Sequence, residues 1–458
     1  AALHAAQPQA LRAAQPHAVR PERALSATPV ERSPAPVPAQ RAAQPGAAPA
    51  KEGYGPGVQL AIGQHRFRCT DALGQGSYGE VWRAQVLSGP SGLREVALKE
   101  VRCASEQELH QAVFEVQVML ALERAWTSPS RELRAPRCIE HGVHSCAGGG
   151  WAVRTAMTVI PGEPINCFVE RSPPPRARPE ALRRGCALAR RLICDVGPTL
   201  EALAPVAWHR DVNPHNILIA SAGAEANFWL IDFGLAVDSQ SWVGSEGGWR
   251  AEYIGGDSRY WPPSSWVMHL LGPDGLDDSP DLCDQYQRRL DVHGLGITAL
   301  ELICSLALRA PAAGAEEVPS SWEPVLQAWA SYRESVWQWW ALVYHAFSTG
   351  ADIAPVQAGL LQEGVVEKLV ALLARARGAL RSCAEQLHGR GEEEDGRLLC
   401  TVADMLDEAH AMDIAQAYGR LASPVRALPA DRVLRPAPPA SSPAAAAPAA
   451  RQVGALGA

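Results

Sequence analysis

Leu109, Val113, Val116 and Leu120 fall near the spacing of one helical face, so about Ser105 to Arg124 reads as an amphipathic helix. Around it the pattern shortens. Glu80–Ala84 and Val96–Lys99 carry the apolar, strand-like runs of β-structure, and Cys138–Val143 reads as another strand leading to a glycine turn at Gly148. In the second half the longer period takes over. Trp322, Trp329, Tyr332, Val336, Trp339, Trp340, Val343 and Phe347 recur at helical intervals, which points to core packing rather than a ligand cage. Helices are expected at about 320–347, 361–388 and 396–421. No apolar run approaches the length of a membrane span.

Both ends lack any period. Residues 1–56 are rich in Ala, Pro, Gln and Arg, with Ala-Ala-Gln-Pro recurring at Ala5, Ala13 and Ala42. Such a tail cannot bury enough apolar area to offset its ordering entropy, so disorder is expected. Its arginines loosely match an organelle transit peptide, but a low-complexity linker is the simpler reading. The chain opens on alanine rather than methionine, which points to a missing upstream segment. Residues 424–458 are again Pro/Ala-rich, and Pro34, Pro36 and Pro38 offer an extended polyproline ligand to a docking partner. Residues 57–423 remain as the folded part.

With 20% charged and 47% hydrophobic residues, the chain as a whole has the balance of a globular protein. A net charge of −7 argues against a nucleic-acid partner. Eleven cysteines with no C-x-x-C pair and no secretory signal point to free thiols in a reducing, cytoplasmic compartment. Cys138, His141, His144 and Cys146 are all zinc-ligand types, but strand alternation sends them to both faces, which weighs against one site. Asp274, Asp277, Asp278, Asp281 and Asp284 lack calcium-loop spacing and read as a solvated loop, as does the run Glu392–Asp395.

The densest chemistry lies in His209-Arg210-Asp211-Val212-Asn213-Pro214-His215-Asn216 and, downstream, Asp232-Phe233-Gly234. Phosphoryl transfer from a metal-bound nucleotide needs a carboxylate to orient the attacking hydroxyl and ligands to fix magnesium. Asp211 suits the first task, Asn216 and Asp232 the second. Upstream, Gly74-Gln75-Gly76-Ser77-Tyr78-Gly79-Glu80-Val81 has a form in which glycines let backbone N–H groups approach phosphate oxygens. A dinucleotide-binding turn reads similarly but predicts a helix opening at its last glycine, whereas a strand is expected here. Lys99 is placed to grip the α- and β-phosphates. Glu115, among apolar helix positions, is its expected partner, with Glu108 the alternative.

Together these motifs resemble the protein kinase family. The resemblance covers about 60–305 well and continues more weakly to about 421. It implies an α+β, bilobal fold, with a small β-rich lobe at about 60–160 and a larger helical lobe at about 161–421. ATP and Mg2+ would bind between the lobes, with a protein as the second substrate. Gly74, Gly76, Gly79, Val81, Ala97, Lys99 and Leu218 match nucleotide-binding positions. Thr158-Val159-Ile160-Pro161-Gly162 looks like the hinge, with Met157 guarding the back of the pocket. Asp291 resembles the aspartate that braces the catalytic loop from a buried helix.

Three positions depart from the family. Asn213 stands where serine/threonine kinases usually carry a lysine, Asp257 replaces a threonine that bonds both the catalytic aspartate and that lysine, and Ser264 replaces an ion-paired glutamate. Arg210 implies activation-segment phosphorylation at Ser239, Ser241, Ser245 or Tyr253, unless it partners local carbonyls. The family's usual late arginine is not evident. The resemblance implies transfer to serine or threonine hydroxyls, because Asn213, Pro214 and His215 lack the arginine typical of tyrosine kinases. The departures keep two other readings open: a nucleotide-binding scaffold with little or no transfer, and a kinase-fold enzyme for a small-molecule hydroxyl.

Overall fold

Strands come first, and their alternation splits the core. The structure, a computed structural model, describes residues 54–76, 79–89, 92–128, 131–222, 225–244, 247–252, 254–310 and 319–422. Most of both tails, with Ser245 and Tyr253, lies outside them. β1 (Gln59–Ile62), β2 (His65–Gly76), β3 (Gly79–Ser88) and β4 (Glu95–Cys103) form an antiparallel meander. After α1 (Glu106–Ala125), β5 (Cys138–Ser145) and β6 (Trp151–Met157) complete a six-stranded sheet of order β1-β2-β3-β4-β6-β5. β4 is buried on both faces. Its Val96 and Leu98 pack with Ile62, Phe67 and Ala84, while Ala97 and Val101 join Val116 and Met119 of α1 in the main core. The pleat therefore puts Lys99 on the α1 side.

Ser105 caps α1, its Oγ accepting from the Glu108 amide at 3.2 Å, and Glu108 reaches back to the Ala104 amide at 2.7 Å. The chain continues from Gly79 as strand β3 rather than as a helix. Gly79 has φ +143°, and a Cβ there would overlap the Glu100 carbonyl oxygen. Gly79→Ala is expected to destabilise the protein by about 3 kcal/mol, read from urea unfolding, because strain and overlap add.

The remainder is mostly helical. β7 (Glu163–Pro164), α2 (Ile165–Arg171) and α3 (Arg178–Leu203) lead to β8 (Ala207–Trp208), β9 (Ile217–Ala222), β10 (Glu225–Leu230) and β11 (Val237–Asp238). These short strands make two small sheets, β10-β9-β7 and β11-β8. Then follow α4 (Ser239–Val243), α5 (Pro263–Leu271), α6 (Pro280–Arg288), α7 (Leu290–Arg309) and α8 (Glu323–Thr349). α9 (Ala354–Glu363), α10 (Val365–Gly389), α11 (Glu393–Met405) and α12 (Ile414–Ala422) end the described chain. α7 is the axis: Leu295, Leu302, Ile303 and Leu306 have no exposed area. A Cβ on Gly185 of α3 would come within 2.8 Å of the Ile303 Cα, so the two backbones touch. Among the described residues α7 is the one helix long and apolar enough to cross a membrane, a length of apolar chain that the sequence reading does not anticipate, and 83% of its most apolar 18-residue window is buried.

Three expectations need correction. The helix expected at 396–421 is two, because Arg289 takes the carbonyls of Asp407, Glu408 and His410 that a continuous helix would use internally. The acidic stretch at 274–284 is partly helical: α6 buries Gln285 and Tyr286, while Asp284 pairs with Arg288 and Arg289. Glu393, Glu394 and Asp395 form the first turn of α11, where the helix dipole favours acids, and Arg190 pairs with the last two.

Candidate active site

Asp291, near the start of α7, organises the segment that carries most of the chemistry. Its carboxylate accepts from the amides of His209 at 2.8 Å and Arg210 at 2.7 Å. That grip holds Arg210 at φ +64°, a left-handed conformation that a non-glycine residue adopts only when its surroundings fix it. His209 is fully buried against Phe233, and burial pulls its pKa down. Its Nδ1 lies 3.3 Å from the Asp211 amide and so accepts, which assigns the proton to Nε2, 3.2 Å from the Ile231 carbonyl.

Asp211 is saturated with donors. Its Oδ1 accepts from Asn213 Nδ2 at 2.7 Å and the Asp257 amide at 3.0 Å, and its Oδ2 from Asn216 Nδ2 at 2.7 Å. Asn213 also folds the loop, its Oδ1 accepting from the His215 amide at 2.8 Å and the Asn216 amide at 3.3 Å. Burial pushes the Asp211 carboxyl up to about 7, and the charges of Asp257 and Asp232 act in the same direction.

Lys99 joins three distant parts of the chain. Its Nζ lies 2.6 Å from Glu115 Oε1 and 2.8 Å from Asp232 Oδ1. Burial works against the ammonium, but the two carboxylates outweigh it and hold its pKa above the ordinary value. For Asp232, burial favours the neutral acid, yet Lys99 keeps its pKa below the usual carboxylate range. Asp232 also takes a left-handed φ of +65°, and its Oδ1 accepts from the Gly234 amide at 3.3 Å. Glu115 rather than Glu108 meets Lys99, since Glu108 is engaged at the helix start. A second tie escapes the sequence motifs: Gln111, one turn before Glu115, donates to the carbonyls of Gly234 at 3.1 Å and Ala236 at 3.0 Å. A polar residue on the same helical face as Glu115 was the available signal.

Most of the residues expected on the nucleotide side lie on neighbouring strands. Val81 is opposite Lys99, and Ala97 opposite Met157. Gly74 and Gly76 face Val81 and Gly79 across the β2–β3 hairpin. Leu218 is half-buried between the buried Ile217 and Ile219, so the pleat turns it away from their core. After Met157, Thr158 exchanges two 3.0 Å hydrogen bonds with Arg137, and Gly162, at φ +105°, runs against the Ile219 carbonyl.

Two of the three departures find side-chain partners. Asn213 and the Asp257 amide share one oxygen of Asp211, while the Asp257 carboxylate pairs with Arg259, which helps hold its pKa down against burial. Ser264 is fully buried where the family has an ion-paired glutamate: its backbone amide donates to Gln285 at 3.2 Å, but its Oγ has no hydrogen-bond partner among the described residues. Beside Asp211 a small cleft is lined by Ile254, Gly255, Tyr260, Trp261 and Pro262. Arg210 donates through Nε to the Leu235 carbonyl at 2.9 Å and stands 5.0 Å over the Trp242 ring, which is the structural role weighed for it.

Asn216 suits a hard cation. Both its Nδ2 bonds go to Asp211, to the carbonyl at 3.0 Å and the carboxylate at 2.7 Å, so Oδ1 is the atom that would face a cation. Among the described residues no group of three or more His, Cys, Asp or Glu side chains suits a metal ion. Magnesium held by one amide, one carboxylate, waters and phosphates needs no such group. No family model matches the chain, and no curated protein matches it.

Proposed function

We propose that the protein is an ATP- and magnesium-dependent protein kinase of bilobal fold, acting on serine or threonine hydroxyls. The observation that carries this reading is Lys99, bonded at once to Glu115, 16 positions away, and to Asp232, 133 positions away. Buried ion clusters are costly to assemble. One that lies across the strand after a glycine hairpin, beside a carboxylate held by two amide side chains, has the groups that phosphoryl transfer requires.

In this reading Gly74, Gly76 and Gly79 supply backbone N–H groups to the phosphates, and Lys99 is held extended by Glu115 to meet them. Val81, Ala97, Met157 and Leu218 enclose the base. Asn216 and Asp232 would hold magnesium, which would supply positive charge against the phosphates. Asp211 orients the incoming hydroxyl and takes its proton. Asn213 fixes Asp211 but brings no charge to the transferring group, so turnover depends more heavily on Lys99 and the metal.

The test is transfer of labelled phosphate from ATP to a degenerate peptide library, compared with a Lys99→Met protein. A loss of about 10²-fold or more in the variant is expected, the scale of removing one preorganised electrostatic contact. Nucleotide-dependent thermal stabilisation without labelling would favour the scaffold, the reading that Asn213 and Asp257 motivate. Turnover confined to metabolites would favour the small-molecule phosphotransferase.

A further inference from the structure

The segment from Gly255 to Trp261 borders Asp211 and is held at both ends. Trp261 Nε1 donates to the Gly255 carbonyl at 2.9 Å, and the Tyr260 hydroxyl to Glu301 at 2.7 Å. From α8, the Tyr332 hydroxyl donates to the Arg259 carbonyl at 3.2 Å. At the centre, Arg259 Nε reaches both Asp257 carboxylate oxygens at 2.9 Å, Nη2 adds another bond, and the Arg259 amide donates to Asp257 Oδ1 at 3.0 Å. The guanidinium lies 4.7 Å over the ring of Trp337 and 4.8 Å over that of Trp340, both on α8. Only 11% of the Arg259 side chain is exposed. Its Nη2 is also 3.1 Å from His215 Nε2, on the loop between Asp211 and Asn216.

We propose that Arg259 is a positioning residue: clamped by Trp337 and Trp340, it fixes Asp257, whose backbone amide in turn holds the Asp211 carboxylate. Among the described residues two donors reach Asp211 Oδ1, the Asp257 amide and Asn213 Nδ2. A planar fork that bonds one carboxylate from several directions and stacks on aromatic faces fixes a geometry that a point charge cannot. Gly256 makes the approach feasible, since at φ +89° a Cβ would press on the Arg210 carbonyl and Asp211 Oδ1.

The inference rests on the kinase reading, and the test separates the two. Arg259→Lys keeps the charge that compensates Asp257, so the variant is expected to fold, but it loses the fork and much of the stacking. Its kcat for peptide phosphorylation should fall about tenfold or more while KM for ATP stays within about twofold, the split expected when geometry on the acceptor side is lost. Amide exchange across 254–262 should quicken about tenfold while that of α7 stays at the native level. A Trp337→Leu/Trp340→Leu protein, which leaves every charge in place, should show the same split. Native kcat, or native exchange at 254–262, in Arg259→Lys overturns the inference; if transfer still needs Lys99, the kinase reading survives. Absence of transfer from the native protein sinks that reading, and the inference with it.

Discussion

On the proposed kinase reading, an Asp211→Asn protein is expected to transfer phosphate about 10³-fold more slowly than the native protein, within the range for removing a positioned general base. The change is nearly isosteric, so the loss reports chemistry rather than volume. An amide cannot take the hydroxyl proton. It also brings a donor where every neighbour is a donor: Asn213 and the Asp257 amide face one oxygen, and Asn216 faces the other. Nucleotide affinity should stay within a factor of about three, since the groups assigned to the phosphates are elsewhere. Single-turnover transfer and nucleotide titration measure the two quantities separately. A variant that keeps half the native rate would remove Asp211 from the mechanism.

The second large effect concerns acid stability. His293 on α7 is 1% exposed, and neither ring nitrogen has a hydrogen-bond partner. Burial pulls its pKa down to about 3, with the charges of Arg289 and Arg377 acting in the same direction. The folded state thus keeps the ring neutral where the unfolded chain, with a pKa of about 6.5, already binds a proton. Stability from this group is present above that value and is lost as pH falls toward about 3, reaching about 5 kcal/mol if the full difference is expressed. His269, pulled by burial to about 4, acts in the same window. Replacing His293 by Leu removes the proton uptake and strands no partner, so the acid-unfolding midpoint, followed by circular dichroism, should move to lower pH. An unchanged midpoint would mean that water reaches this ring.

Local signals account for most of what the sequence made legible. The strand-then-helix order follows from the change of apolar period, and Glu115 stood out because a carboxylate among Val116, Val118 and Met119 needs a partner. The same logic separates Glu115 from Glu108, whose place beside Ser105 marks a helix start. Where contacts join distant segments, no spacing encodes them. Arg289 breaks the expected last helix by reaching carbonyls more than a hundred positions away, and nothing around 407–410 announces it. The tryptophan period located one face of α8 and its core role, as Trp329, Tyr332 and Trp339 show. It could not show that Trp337 and Trp340 would meet Arg259, because periodicity fixes a face but not what lies opposite.

That meeting gives the protein a built-in optical reporter. Indole emission is sensitive to a neighbouring cation, and Trp337 and Trp340 both lie within 5 Å of the Arg259 guanidinium, with Tyr344 stacked on the second. Any ligand that lifts the loop around residue 259 off α8 would change the brightness and colour of these two indoles, so loop movement would register in real time without an attached dye.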